Sequence, residues 1–150
     1  MTEQWHFISH DRDPSDAMAV IRATAPGGSP WYAGHFPENP ILPGLAILAM
    51  VKEAILGEES VRGTKIRFVG VRRVRFRLPV KPDDGLILSF SRSRQEEKLS
   101  YSFQVFLDTK PVCSGLMTAE ILAEDFWKKK YQKVLDFGQG VFIFRRTGCL

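Results

Sequence analysis

The sequence predicts an α+β fold in which one apolar helix packs against a curled antiparallel β-sheet. Residues 44–56, GLAILAMVKEAIL, are rich in Ala, Leu and Met and are long enough for a helix. In several stretches between residues 74 and 107, apolar residues recur at every second position, which is typical of half-buried strands. The connections between these strands are too short for crossovers, and this predicts antiparallel neighbours.

The helix is predicted to begin at Gly44, with Pro43 at or next to its first turn, where a missing N–H costs nothing. Gly57 is the predicted stop at the C-terminal end. We expect the helix to be largely buried, with its core face formed by Leu45, Leu48 and Ile55.

The strands are predicted as an antiparallel meander, with one or two more strands upstream of the helix. The meander covers residues 65–78, 86–94, 99–108 and 111–122, and an upstream strand covers residues 16–25. In the first stretch three apolar residues alternate with three arginines, which predicts a half-buried strand with one basic face. The apolar set is Val74, Phe76 and Leu78, and the basic set is Arg73, Arg75 and Arg77.

Length and composition fit one globular domain. The chain has 150 residues, of which 44% are hydrophobic and 25% are charged. We expect a single domain with its core over about residues 17–122 and a C-terminal extension over 123–150. In that extension, residues 125–137 have roughly helical spacing, and residues 140–146 form a candidate last strand.

Membrane, metal and cofactor functions are not expected from the sequence. No apolar run approaches the ~20 residues that cross a bilayer, and no secretory signal is evident, which predicts a cytoplasmic protein. The two cysteines, Cys113 and Cys149, are far apart, and no Cys-x-x-Cys pair accompanies the three histidines. Cys113 lies in an apolar stretch, so we expect it to be buried.

Basic residues are concentrated in one part of the chain. The net charge is +4 and the pI is near 9.2. The cluster comprises Arg67, Arg72, Arg73, Arg75, Arg77 and Lys81. It is either a solvated strand face or a docking surface that attracts an acidic partner. No helix-turn-helix, zinc-finger or RNA-binding signature accompanies it, so we do not expect nucleic acid as the partner.

A histidine stands among turn-forming residues just ahead of the helix, in GHFPENPILPG at positions 34–44. This stretch resembles the signature of the (3R)-hydroxyacyl-acyl carrier protein dehydratases, which have the hot-dog fold. The segment VRRVRFRLPVKPDD, at 71–84, resembles the arginine-rich strand of the same family and its Pro-Val-x-Pro-Gly-Asp turn. Asp83 stands where that glycine is usual. The resemblance runs from about Ala17 to Ile121.

The resemblance implies dehydration of 3-hydroxyacyl thioesters carried by acyl carrier protein or coenzyme A. It assigns the base that removes the C2 proton to His35. It assigns stabilisation of the thioester oxygen to the backbone N–H of Gly44, because a helix N-terminus suits a developing negative charge. The implied substrate-binding residues are Phe36, Pro43, Leu45 and Ala49. The family site is built across two chains, so we expect a homodimer or a multiple of it.

Acyl carrier protein is an acidic partner that would suit the basic cluster. The residues of this chain predicted to contact it are Arg72, Arg73, Arg75, Arg77 and Lys81.

One departure from the family limits what the resemblance implies. Ala49 occupies the position, five residues after Gly44, where the family has a glutamate. Three arrangements remain open: Glu53 supplies a carboxylate from the next helical turn, Glu38 supplies one from the loop, or His35 and Gly44 act alone. The functions left open are a dehydratase-like enzyme of fatty-acid, lipid or polyketide-type biosynthesis, a non-catalytic acyl-thioester-binding or partner subunit, and a thioesterase.

Overall fold

A computed structural model of the chain describes residues 5–10, 18–34 and 38–122. Its elements, in chain order, are β1 (Phe7–His10), β2 (Met18–Thr24), a short 3-10 helix (Pro30–Tyr32), α1 (Gly44–Arg62), β3 (Ile66–Phe76), β4 (Leu86–Gln95), β5 (Lys98–Leu107) and β6 (Lys110–Ile121). The α+β class is therefore confirmed, as are the strands predicted over 16–25 and 65–122 within a few residues. The elements predicted over 125–137 and 140–146 lie outside the described residues.

The strands form one antiparallel sheet in the order β1-β2-β4-β5-β6-β3. The predicted meander is confirmed for β4, β5 and β6, but it is wrong for β3, which pairs with β6 at an edge of the sheet. Three strand spacings, about 14 Å, separate β3 from β4, and residues 77–85 easily span this distance. Backbone hydrogen bonds fix this segment, from the Leu42 N–H to the Val80 carbonyl (2.8 Å) and from the Asp83 N–H to the Ala25 carbonyl (3.0 Å).

The core lies between α1 and the inner face of the sheet. The helix buries Ala46, Ile47, Met50, Val51, Ala54 and Ile55. The largest buried side chains of the sheet, each at most 1% exposed, are Ile21, Leu86, Leu88, Leu99, Tyr101, Phe103 and Val105. The core position predicted for Ile55 is confirmed, and Leu48 is half-buried. The core position predicted for Leu45 is wrong, because its side chain is 72% exposed. At 100° per residue, Leu45 points away from the centre of the buried face of α1.

The helix does not stop at Gly57, as the sequence predicted, but continues to Arg62. It ends at Gly63, whose φ of 75° is left-handed and whose N–H donates to the Glu59 and Ser60 carbonyls. A glycine inside a helix costs only about 1 kcal/mol. The extra turn buries Glu59, which is 1% exposed and is held by Arg92 and Tyr101. These contacts outweigh the cost of Gly57.

The predicted alternation in β3 is interrupted. A bulge shifts the register between Arg72 and Arg75, and Arg73 has a φ of 55°. Val74 is half-buried, but Phe76 and Leu78 are 50% and 37% exposed. The predicted half-buried face is therefore wrong for these two residues, because β3 is an edge strand and one chain offers no neighbour on its outer side.

Two smaller predictions are settled by local geometry. Cys113 is buried, as predicted, at 1% exposure, and burial raises the pKa of its thiol to about 11. Asp83 has a φ of 66°, in the left-handed region that glycine and aspartate tolerate best. Its side chain accepts a hydrogen bond from the Gly27 N–H at 3.2 Å, so the turn forms without the usual glycine.

No helix in the described part of the chain is long and apolar enough to span a membrane.

Candidate active site

The predicted oxyanion donor lies at the first residue of α1. Pro43 precedes the helix in an extended conformation and provides no side-chain cap. The first intrahelical bond runs from the Ala46 N–H to the Pro43 carbonyl at 2.9 Å. Within the described residues the Gly44 N–H has no hydrogen-bond partner. An unpaired N–H at the positive end of a helix dipole can stabilise a negatively charged oxygen.

An aromatic ring covers one side of this helix start. A Cβ atom placed on Gly44 would lie 2.7 Å from the Phe76 ring. Glycine therefore allows β3 to approach the first turn of α1 closely. The alternation in β3 predicted an inward-facing Phe76, but nothing in the sequence indicated that the ring would meet Gly44.

A groove of about 420 Å³ runs between α1 and β3. It is lined by Leu45, Leu48, Ala49 and Lys52 from the helix, residues 68–71 from the strand, and Met117. Apart from Lys52 the lining side chains are apolar, and the Lys52 Nζ lies 5.4 Å from the centre of the Phe68 ring. Two of the predicted substrate-binding residues, Leu45 and Ala49, therefore line the same apolar groove, and Lys52 is the cation in its lining.

The carboxylate of Glu53 is not free. It contacts the Nε2 atom of His6, and the Glu53 side chain stays 58% exposed. The other ring nitrogen of His6 accepts a hydrogen bond from the Trp31 indole N–H at 3.2 Å. Sequence reasoning missed His6 and Trp31, since neither belongs to a recognisable motif and both are far from Glu53 in the chain.

The predicted base lies outside the described residues, as does its neighbour Phe36. His35 follows Gly34, which has a φ of 70°, and precedes the exposed residue Glu38. The roles of His35, Phe36 and Pro43 remain predictions.

The predicted carrier-binding residues form an exposed basic surface along β3 and the segment after it. They are Arg72, Arg73, Arg75, Arg77 and Lys81. None forms an ion pair with another described residue. Arg67, in contrast, is paired with Glu120 at 2.7 Å. Five exposed cations with no ion-pair partner among the described residues leave their charge available to a partner protein.

Comparison with known proteins agrees with the motifs. Residues 10–116 match the ApeI-like family, described as ApeI dehydratase. The chain is 33% identical over 126 residues to the 3-hydroxyacyl-[acyl-carrier-protein] dehydratase FabZ of Chlamydia trachomatis, covering 79% of this chain and 81% of that protein. It is also 33% identical over 124 residues to FabZ of Chlamydia muridarum, covering 79% and 74% of the two chains.

Solved structures share the fold. The dehydratase heterocomplex ApeI:P from Xenorhabdus doucetiae superposes with a TM-score of 0.62 at 24% identity, covering 76% of this chain and 96% of that chain. A hypothetical thioesterase with coenzyme A from Streptococcus pneumoniae superposes with a TM-score of 0.60 at 14% identity, covering 78% and 85%.

The fold and the sequence matches define a hot-dog protein of the 3-hydroxyacyl thioester dehydratase type, which confirms the class predicted from residues 34–44 and 71–84. More particularly, the chain belongs to the ApeI-like dehydratase family.

Proposed function

We propose that the chain acts in the cytoplasm on 3-hydroxyacyl thioesters of acyl carrier protein or coenzyme A, as a hydro-lyase of fatty-acid, lipid or polyketide-type biosynthesis. The observation that carries this proposal is the unpaired Gly44 N–H at the start of α1, next to an apolar groove. His35 removes the C2 proton, the Gly44 N–H stabilises the thioester oxygen, and the C3 hydroxyl leaves as water. The groove accommodates the apolar acyl chain.

The test is a mass-spectrometric assay of the purified protein with 3-hydroxyacyl and enoyl thioesters of several chain lengths. We expect interconversion of the two, and we expect His35→Ala to remove it while the folded protein is retained. Release of the free acid alone would favour a thioesterase. Binding without turnover would favour an acyl-thioester-binding subunit.

A second candidate function follows from Ala49. The groove has no carboxylate at that position, and one structural neighbour is the dehydratase heterocomplex ApeI:P. In this alternative the chain pairs with a related subunit, which supplies the missing carboxylate at the shared interface. Co-expression with a related dehydratase subunit would then yield a mixed complex that is more active than either chain alone.

The exposed edge of the sheet supports assembly into a homodimer or a multiple of it. β3 and the segment after it leave Val69, Val71, Phe76 and Leu78 between 37% and 57% exposed. Burying such side chains contributes about 25 cal/mol per Å² of apolar surface. A second copy packed along this edge would bury them, in keeping with the site across two chains that the family resemblance implies.

We therefore expect light scattering at micromolar concentration to give at least twice the 17.0 kDa of one chain. Val71→Lys should shift the protein towards the monomer, because a charge on an edge strand opposes pairing. Val20→Lys is the matched control, since Val20 is 42% exposed on a different strand. A wild-type monomer of 17.0 kDa would contradict the dimer.

The basic surface along β3 should bind an acidic carrier protein. Reversing the charge of Arg73 and Arg75 together, each to Glu, should weaken carrier binding by about 1–2 kcal/mol and flatten its dependence on salt. Reversing Arg94 and Lys110 changes the net charge equally at exposed positions elsewhere and should leave binding nearly unchanged. Carrier binding is measured by titration calorimetry. If the two double variants weaken it equally, the arginines of β3 contribute only through the net charge of the protein and do not form a specific docking surface.

A further inference from the structure

One positive charge stands in the apolar groove between α1 and β3. Among the described residues that line this groove of about 420 Å³, Lys52 is the one with an ionisable side chain. Its ammonium nitrogen lies 5.4 Å from the centre of the Phe68 ring, which belongs to the opposite wall. The lysine therefore directs its charge across the groove, where the face of the ring attracts it. The residue stays exposed, so a ligand in the groove can reach the ammonium group.

This lysine has no acidic partner in the described part of the chain. It forms no ion pair there. A partner on the same helix would stand three or four residues away, and these positions are all apolar: Leu48, Ala49, Ile55 and Leu56. The adjacent residue, Glu53, lies 100° further around the helix and contacts His6. The charge of Lys52 is thus available to a bound molecule.

The position of Lys52 along α1 places it at a distance from the proposed oxyanion donor. Leu45, Ala49 and Lys52 line the groove at helical spacing, so they follow one face of α1. At 1.5 Å per residue, Lys52 is about 12 Å further along the helix than Gly44. An acyl chain whose thioester oxygen meets the Gly44 N–H and whose tail follows this face brings its distal carbons to the lysine.

A purely apolar tail is a poor match for that end of the groove. It would displace water from the Lys52 ammonium group without offering a hydrogen-bond acceptor in return, which is unfavourable for a charged group. A carboxylate at the end of the tail would accept a charge-assisted hydrogen bond from the ammonium group. The apolar walls between Gly44 and Lys52 would still contact the methylene groups of the same chain.

We infer that Lys52 is a specificity-determining residue that selects 3-hydroxyacyl thioesters whose chain ends in a carboxylate. This inference rests on the proposed function and names its substrate class. The selected carboxylate is at the end of the chain opposite the thioester, so it takes no part in the chemical step. Its contribution is to binding, and it depends on the length of the chain between the two ends.

The first test measures binding without turnover. The probes are saturated acyl-coenzyme A thioesters, which have no 3-hydroxyl group, in pairs of equal length that end in a methyl group or in a carboxylate. For chains long enough to reach Lys52, titration calorimetry should give a Kd about 10–100-fold lower for the carboxylate member. Shorter pairs should show a much smaller difference. A difference that is absent, or that is the same at every length, would overturn the inference.

Substitutions of Lys52 test whether this side chain makes the distinction. Lys52→Met keeps a long unbranched side chain without the charge and should remove the preference for the carboxylate. Lys52→Glu should reverse it, so that a chain ending in an ammonium group binds better than one ending in a carboxylate. Lys98→Met is the matched control, because Lys98 is exposed on β5 outside the groove. A preference that survives Lys52→Met would overturn the inference.

The same pairs made as 3-hydroxyacyl thioesters extend the test to turnover. The carboxylate member should have the higher kcat/KM for dehydration, with the difference mainly in KM, because the selected group is remote from the reacting carbons. An active wild-type protein that treats both members alike at every length overturns the role of Lys52 and leaves the proposed function intact. A wild-type protein inactive on every thioester overturns the proposed function, while the Kd values of the saturated probes still decide whether Lys52 selects the carboxylate.

Discussion

Ala49→Glu is expected to raise the dehydration rate by about 10²–10⁴-fold in kcat, and the Ala49→Glu/Glu53→Gln double variant tests whether Glu53 already supplies a carboxylate. The side chain at position 49 lies in the groove between α1 and β3, on the helix face that the family uses for its carboxylate. Lys52, three residues further on and lining the same groove, would stabilise the introduced charge. Ala49→Gln has the same shape without the acid and is the matched control.

The gain in kcat from Ala49→Glu should be measured both in the otherwise wild-type chain and in the Glu53→Gln background. A large gain in the double variant and a small one in the otherwise wild-type chain would agree with a working carboxylate at Glu53. An equal gain in both backgrounds would mean that Glu53 does not supply the carboxylate. A well-folded Ala49→Glu dimer that binds acyl thioesters but stays inert would favour the acyl-binding function. Some loss of stability is expected, because the carboxylate is partly desolvated.

Arg92→Leu is expected to lower the free energy of unfolding by about 3–5 kcal/mol, because it leaves a buried charge without its partner. Arg92 Nε donates to Glu59 at 2.6 Å, and the Tyr101 hydroxyl donates to the same carboxylate at 2.7 Å. Glu59 is 1% exposed, so water cannot replace the lost partner. The measurement is urea unfolding followed by circular dichroism.

A double-mutant cycle separates the interaction energy of the Glu59–Arg92 pair from the loss of side-chain packing. Replacing Glu59 and Arg92 together by leucine should cost clearly less than Arg92→Leu alone, since no charge is then left buried. Arg94→Leu is the control on the same strand, because Arg94 is exposed and its one side-chain hydrogen bond to a described residue goes to the Glu96 carbonyl. Its effect should stay within about 0.5 kcal/mol. A cost of Arg92→Leu as small as that would contradict a structural role for the pair.

The parts of the fold that the sequence predicts are those governed by local periodicity. Strands β4 and β5 alternate along most of their length, and the turns that join β4, β5 and β6 are short, so the approximate bounds and the neighbours of these strands follow from local pattern. The start of α1 is likewise marked by Pro43 and Gly44. The motifs around these residues were also specific enough to predict the family.

The parts that could not be predicted depend on distant contacts. The helix continues through Gly57 because Glu59 meets Arg92 and Tyr101, which come from strands much later in the chain. The edge position of β3 is decided by pairing with β6. In the candidate site, the hydrogen bonds of His6 to Trp31 and Glu53 bring together residues that share no motif.

The pairing of β3 with β6 also sets an order of events during protein synthesis. Ile66 pairs with Ile121, so β3 leaves the ribosome long before its neighbour in the sheet exists. At roughly 5–20 residues per second, the stretch from Phe76 to Ile121 takes several seconds to translate. During that time both edges of β3 are open to pairing with other nascent chains. Charged side chains oppose such pairing, so the arginines of β3 would lower the risk of aggregation at a stage when the apolar contacts of a folded dimer have not yet formed.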